Sequence, residues 1–130
     1  TTLSAMGVQE GLLYSSDHEW VKVTGRVARI GITDFAQDAL GDVVYIEAPE
    51  IDRVVVAGES FSEVESTKSV SDIYAPVSGT VVAVNDELIA DPSLINSEPY
   101  GRGWICDIRM DSDDVSHLLD AAAYSQLIGG

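Results

Sequence analysis

The chain is poor in most residues that carry catalysis, metal binding or membrane anchoring. It holds one cysteine, Cys106, among 130 residues, so no internal disulfide can form. Its only histidines are His18 and His117, and no Cys/His spacing suits a metal ion. Seven lysines and arginines face twenty-two acids, for a formal net charge of −15. That balance argues against nucleic acid, because phosphate backbones are held by clustered cations. No stretch approaches the run of roughly eighteen apolar residues that a membrane helix needs, and the first residues lack the basic-then-apolar pattern of a secretory leader. A phosphate loop is missing: Gly101-Arg102-Gly103 is too short and opens no helix. Neither histidine has a serine or cysteine in a nucleophile motif beside it. These absences leave no catalytic residue and no metal ligand to name, and they point to a reducing, soluble compartment.

What the chain does have is β-forming sequence around short helical pieces. Apolar residues make up 45%, enough for one globular core at this length. The alternation around Glu19 to Val23 predicts a strand. A second follows over Val27 to Ile32 after the turn signal Thr24-Gly25, so the two form a hairpin. Thr33 to Gly41 switches to helical spacing, with Thr33 or Asp34 as cap, Phe35/Ala39 and Ala36/Leu40 as i,i+4 pairs, and Gly41 as the stop. From Asp42 to Val84 the chain reads as strands and turns and echoes itself. Ile46-Glu47-Ala48-Pro49 recurs as Ile73-Tyr74-Ala75-Pro76, and Val54-Val55 as Val81-Val82. Two copies of a strand–turn–strand unit suit a small sandwich or flattened barrel, with Pro49 and Pro76 at edges or in turns. Asp91-Pro92 predicts a short helical turn through Asn96. Trp104 to Met110 reads as a last strand, with Trp104, Cys106 and Ile108 on one face. The acids Asp111, Asp113 and Asp114 then predict the start of a C-terminal helix with an apolar stripe of Val115, Leu118, Leu119 and Ala122, ended by Gly129. His117 is placed on that helix at the surface. Residues 1–13 read as an N-terminal extension and 14–130 as a single domain.

Within the β region one stretch stands apart. Glu65-Ser66-Thr67-Lys68-Ser69 sets a single lysine among small polar residues, between Val64 and Val70. This predicts two strands and a tight turn with Lys68 at the tip. Such a lysine is either an ordinary solvated turn residue or an amine held out for modification. Serines and a threonine make no dry pocket to depress its pKa, so attachment is the better chemical use of it.

The run Glu63 to Gly79, which contains Lys68, closely resembles the lipoyl-attachment hairpin of the glycine cleavage H-protein family. Three further stretches are similar in the same order. They are His18-Glu19-Trp20-Val21; Gly31 to Asp34 with Ala36-Gln37 and Leu40 to Val44; and Leu94 to Tyr100 with Gly103-Trp104. The resemblance covers nearly everything after Tyr14. It implies a mainly β barrel-sandwich hybrid of the lipoyl and biotinyl carrier type, with peripheral helices and a C-terminal helix. It implies lipoate in amide linkage to Lys68, with Glu65, Ser66, Thr67 and Ser69 forming the attachment hairpin. It also implies a non-catalytic carrier that shuttles the aminomethyl group of glycine from the P protein (glycine decarboxylase) to the T protein (aminomethyltransferase) and is reoxidised by the L protein (dihydrolipoamide dehydrogenase). A lipoylating enzyme loads it. Glu63 and Glu65 would aid recognition by that enzyme. The loaded arm is cationic, and the resemblance implies a cleft that shelters it, with Glu19 the leading candidate to pair with the amine and Asp72 and Asp17 behind it. Many members carry His where this chain has Phe35, which removes a hydrogen-bonding side chain there. The resemblance further implies a cytoplasmic protein in a bacterium, or a matrix protein in a processed mitochondrial form. Competing readings are a lipoyl relay that donates lipoate to other complexes and a lipoyl or biotinyl domain of another complex. Thr67 and Ser69 stand where a biotinyl site normally carries Met. An independent enzyme would need a nucleophile–base pair that the chain does not offer.

Overall fold

The computed structural model describes residues 7–129. Apolar alternation builds nine strands among these residues: β1 (Leu13–Tyr14), β2 (Glu19–Thr24), β3 (Val27–Ile32), β4 (Val43–Glu47), β5 (Val54–Val55), β6 (Ser60–Ser66), β7 (Val70–Tyr74), β8 (Gly79–Val84) and β9 (Cys106–Met110). Four short helices interrupt them: α1 (Asp34–Leu40), α2 (Asp86–Ala90), α3 (Leu94–Ser97) and α4 (Ala121–Leu127). The strands form two antiparallel sheets, one in the order β1-β2-β3-β9-β8-β5 and one in the order β4-β6-β7. Their facing surfaces enclose the main core, which includes Val21, Ile30, Val64, Ile73, Val81 and Ile108. Each such fully buried aliphatic side chain contributes about 2 kcal/mol by leaving water. This is the barrel-sandwich hybrid that the resemblance implied.

The internal echo has a structural counterpart. β4 (residues 43–47) and β7 (residues 70–74) occupy equivalent places on either side of β6, and β5 pairs directly with β8. Ala48-Pro49 and Ala75-Pro76 both follow a strand end, where proline deletes no ladder hydrogen bond.

The six-stranded sheet is covered on its second face as well. Val21 points into the main core, and its neighbour Trp20 joins Val8, Tyr14, Ala121 and Tyr124 in a separate cluster. Trp20 lies flat over Gly31, where an added Cβ would stand 2.5 Å from the indole. The indole N–H donates to the Pro99 carbonyl at 2.8 Å. Val8, within the stretch expected as an extension, is buried here, and the Gln9 N–H and carbonyl both bond the Tyr14 hydroxyl. Residues 1–6 lie outside the described residues.

The C-terminal helix differs from its expectation. It begins at Ala121, capped by Asp120, whose carboxylate accepts from the Ala123 N–H at 2.8 Å. The acids expected to open it fold back locally instead. Asp114 accepts from the Ser116 N–H, and Ser112 accepts from the Asp114 N–H. Such side-chain bonds compete with helix formation. Leu119 is meanwhile held by a two-way backbone bridge to Tyr14. The buried positions of α4 are thus Ala121, Tyr124 and Ser125, and Ala122 is exposed. His117 sits before the helix at the surface, with Nε2 2.8 Å from the Pro76 carbonyl. The last strand starts at Cys106, two residues later than expected. The short turn of helix expected after Pro92 is α3, and α2 forms before it where no helix is expected.

Candidate functional site: the lysine hairpin and its cleft

Lys68 lies in the turn 67–69 between β6 and β7, exposed along with Thr67 and Ser69. The turn is stiffened by Ser66, which is buried. Its hydroxyl oxygen accepts from the N–H groups of Lys68 (3.3 Å) and Ser69 (3.1 Å), and its own N–H donates to the Ser69 carbonyl. The Thr67 N–H donates to the Asp42 carbonyl at 3.0 Å, which ties the tip to the end of α1. Gly41 ends α1 at φ 83, in the left-handed region where a side chain is strained. It is also where the lysine stem passes, since a Cβ there would stand 3.3 Å from Lys68 Cε.

Asn96 on α3 locks that junction. Its amide nitrogen donates to the Gly41 carbonyl and to Gln37 Oε1, both at 2.9 Å, and its oxygen accepts from the Val43 N–H at 2.9 Å. A chain of backbone and amide bonds thus runs from α3 through the α1–β4 link to the residue before Lys68. The stretch Leu94 to Tyr100 belongs to the family resemblance, but no local signal in it marks this anchoring role of Asn96.

Beside the hairpin a cleft of about 330 Å³ opens between α1, the start of β2 and the edge strand β7. Its lining runs from Ser69 and Ser71 near the tip to Asp72, Asp17, His18 and Glu19, with Phe35, Ala36, Ala39 and Leu40 of α1 forming an apolar wall. The three acids proposed from sequence therefore share one cleft with the base of the lysine turn. Glu65 does not line it: it is exposed in register with Tyr45 and Val70, while its neighbour Val64 is buried and lines the cleft.

Glu19 is the unusual acid. It is only 2% exposed, whereas Asp17 and Asp72 are exposed. Burial pushes its carboxyl up to about 7. The Ser15 hydroxyl, which donates to Oε1 at 2.5 Å, opposes this; the negative charge of Asp17 adds to it; and a hydrogen bond from the backbone of Tyr74 opposes it. A cation entering the cleft would supply the missing counter-charge and return Glu19 to its ionised form. Asp72 accepts from the Ser60 hydroxyl at 3.1 Å and stands exposed at the rim. The arrangement suits a small cation. Among the described residues no group of three or more His, Cys, Asp or Glu could hold a metal ion, and no helix is long and apolar enough to cross a membrane. Cys106 is a buried core thiol, pushed well above its ordinary range mainly by burial.

A small two-sheet scaffold that holds one exposed lysine on a pinned turn beside a cleft defines a carrier of the lipoyl type. The chain belongs to the glycine cleavage H-protein family. The family profile described as Glycine cleavage H-protein matches residues 12–129. A glycine cleavage system H protein of Micrococcus luteus is 57% identical over 121 residues, covering 91% of this chain and 94% of that protein. One from Mycobacterium bovis BCG is 54% identical over 125 residues, covering 90% and 93%. The crystal structure of a glycine cleavage system H protein from Mycobacterium marinum superposes with a TM-score of 0.87 at 40% identity, covering 95% of this chain and all of that one.

Proposed function

We propose that this protein is the lipoyl carrier of a glycine cleavage system, with lipoate joined by an amide to Lys68. The observation that carries the reading is Lys68 on an exposed turn whose next residue, Ser69, lines a cleft that also holds the buried acid Glu19. The bound group would supply a dithiolane that takes the aminomethyl group as glycine loses carbon dioxide. The chain's own residues do the rest. Ser66 and the Asp42 carbonyl hold the turn so that the amine stays presented to a lipoylating enzyme. Lys68 offers Nζ as the attachment point, and acylation there removes its charge. The apolar wall of α1 excludes water from the arm, and Glu19, with Asp17 and Asp72, balances the cationic cargo while it travels. In this reading the P protein loads the arm, the T protein unloads it, the L protein reoxidises the dithiol, and the protein works in the cytoplasm as a non-catalytic component.

Intact-mass measurement of protein from lipoate-replete cells tests the attachment. One lipoyl adduct is expected, and it disappears in Lys68→Ala. An adduct that persists in the variant overturns the assignment. Lipoylated protein that fails to support glycine–bicarbonate carbon exchange with the P protein overturns the glycine cleavage role.

A further inference from the structure

One wall of the cleft is fastened to the C-terminal helix through a chain of three side chains. His18 sits at φ 72, an uncommon conformation for a residue with a Cβ. Its Nδ1 lies 2.9 Å from the Tyr124 hydroxyl, and that hydroxyl lies 2.7 Å from Thr33 Oγ1. On its other side the imidazole packs on the Phe35 ring, with centroids 4.8 Å apart. Tyr124 is fully buried and stacked on Tyr14 at 4.5 Å with the rings 7° from parallel, so its hydroxyl has little freedom.

The direction of these bonds follows from satisfaction of buried donors. Thr33 is fully buried, and its oxygen already accepts the Ala36 N–H at the start of α1. The Tyr124 oxygen is the one acceptor within reach of its hydroxyl proton among the described residues. A buried donor left without a partner is costly, so Thr33 donates to Tyr124. Tyr124 in turn has its proton free for His18 Nδ1. Its phenol is pushed up to about 12, mainly by burial, and stays protonated. The imidazole is then neutral, with its proton on Nε2. An imidazolium would point a second donor at Tyr124 and strand one of the two hydroxyl protons.

We propose that Tyr124 is a positioning residue of the arm cleft, which holds His18 as the neutral Nε2–H tautomer and seats it against Phe35, so that this wall carries no positive charge. The role in cargo retention rests on the carrier reading above. Around His18 stand Asp17 in the preceding turn, Glu19 at the start of β2, Thr33 capping α1, Phe35 in α1, Tyr124 from α4, and Asp72 across the cleft on β7. With a neutral imidazole the field in the cleft is set by the acids alone, which is what an ammonium cargo requires. Burial of His18 acts in the same direction as the relay, against the attraction of Asp17. The inference gives α4, which lines no part of the cleft, a task in it.

Nitrogen-15 NMR of the histidine rings in the unlipoylated wild-type protein at pH 7.5 tests the relay without any substitution. For His18 the expected signature is an unprotonated Nδ1 and a protonated Nε2. A protonated Nδ1, or an imidazolium, overturns the proposal. Tyr124→Phe keeps the ring and its stack on Tyr14 but removes the bridging hydroxyl. In that variant His18 is expected to become a mixture of tautomers, and the aminomethyl-loaded arm of the lipoylated protein to lose its cargo about threefold to tenfold faster, as for one lost hydrogen bond. An altered tautomer with unchanged cargo lifetime overturns the positioning role. Wild-type lipoylated protein that accepts no aminomethyl group fails at an earlier step and overturns the carrier reading together with this role.

Discussion

Replacing Glu19 by glutamine changes one property of the site and leaves its shape. The amide oxygen can still accept from the Ser15 hydroxyl and from the backbone of Tyr74, so what disappears is the ionisation. In the folded wild type the carboxyl holds its proton up to about pH 7, against 4.5 for the unperturbed group. Between those values the folded state therefore binds more protons than the unfolded state, and stability falls as pH rises. Glu19 in effect stabilises the fold fully below pH 4.5 and loses that contribution as pH passes through about 7. At about 1.4 kcal/mol per tenfold, the window corresponds to about 3 kcal/mol. Urea denaturation of both proteins at half-unit steps from about pH 4.5 to 8 measures it by linear extrapolation. The difference in unfolding free energy, variant minus wild type, should rise by about 3 kcal/mol across the series and level off above pH 8. Titrating groups that do not interact with Glu19 cancel in the difference. A difference that stays constant with pH would refute the claim that Glu19 is a desolvated acid. In the lipoylated protein the same substitution should shorten the life of the aminomethyl-loaded arm, because the neutral amide cannot balance an ammonium.

Asn96→Ala removes three hydrogen bonds at the α1–β4 junction and leaves the N–H of buried Val43 without a partner. A loss of about 2–3 kcal/mol in urea denaturation is expected, together with slower lipoylation of Lys68 as the turn loosens. Cys106 should resist Ellman's reagent in the native protein and react at the rate of global opening in intermediate urea, since its thiol is fully buried in the main core; fast labelling without denaturant would contradict its placement.

Much of the scaffold was readable because its signals are local. Thr33 caps α1 and Gly41 ends it as their chemistry suggests. The Thr24-Gly25 turn joins β2 to β3, and the two copies of the Ala-Pro echo mark β4 and β7. Lys68 falls at the tip because small polar residues between two β-forming runs leave the chain few other options. The same local logic failed where two local choices were equally good. Asp111 to Asp114 can cap a helix or bond their own turn, and the backbone bridge between Leu119 and Tyr14 selects the turn and moves the helix start to Ala121. Glu19, Asp17 and Asp72 were named together through the family resemblance, since no spacing in the chain relates β2 to β7.

By itself, then, the sequence determined that most of the chain is strand and turn, where the lysine turn lies and that a single amine would be presented there, because periodicity and turn chemistry act over a few residues. Tertiary structure decided what surrounds that amine. The sheet order brings the edge of β7 alongside the start of β2 and α1, which buries Glu19 in the wall of the cleft and raises its pKa. The register of Tyr14 with Leu119 carries α4 to the far side of Thr33, where Tyr124 meets His18 from 106 residues away. Desolvation and the direction of a buried proton depend on neighbours from every element packed at that point, and such neighbours exist only once both sheets have closed.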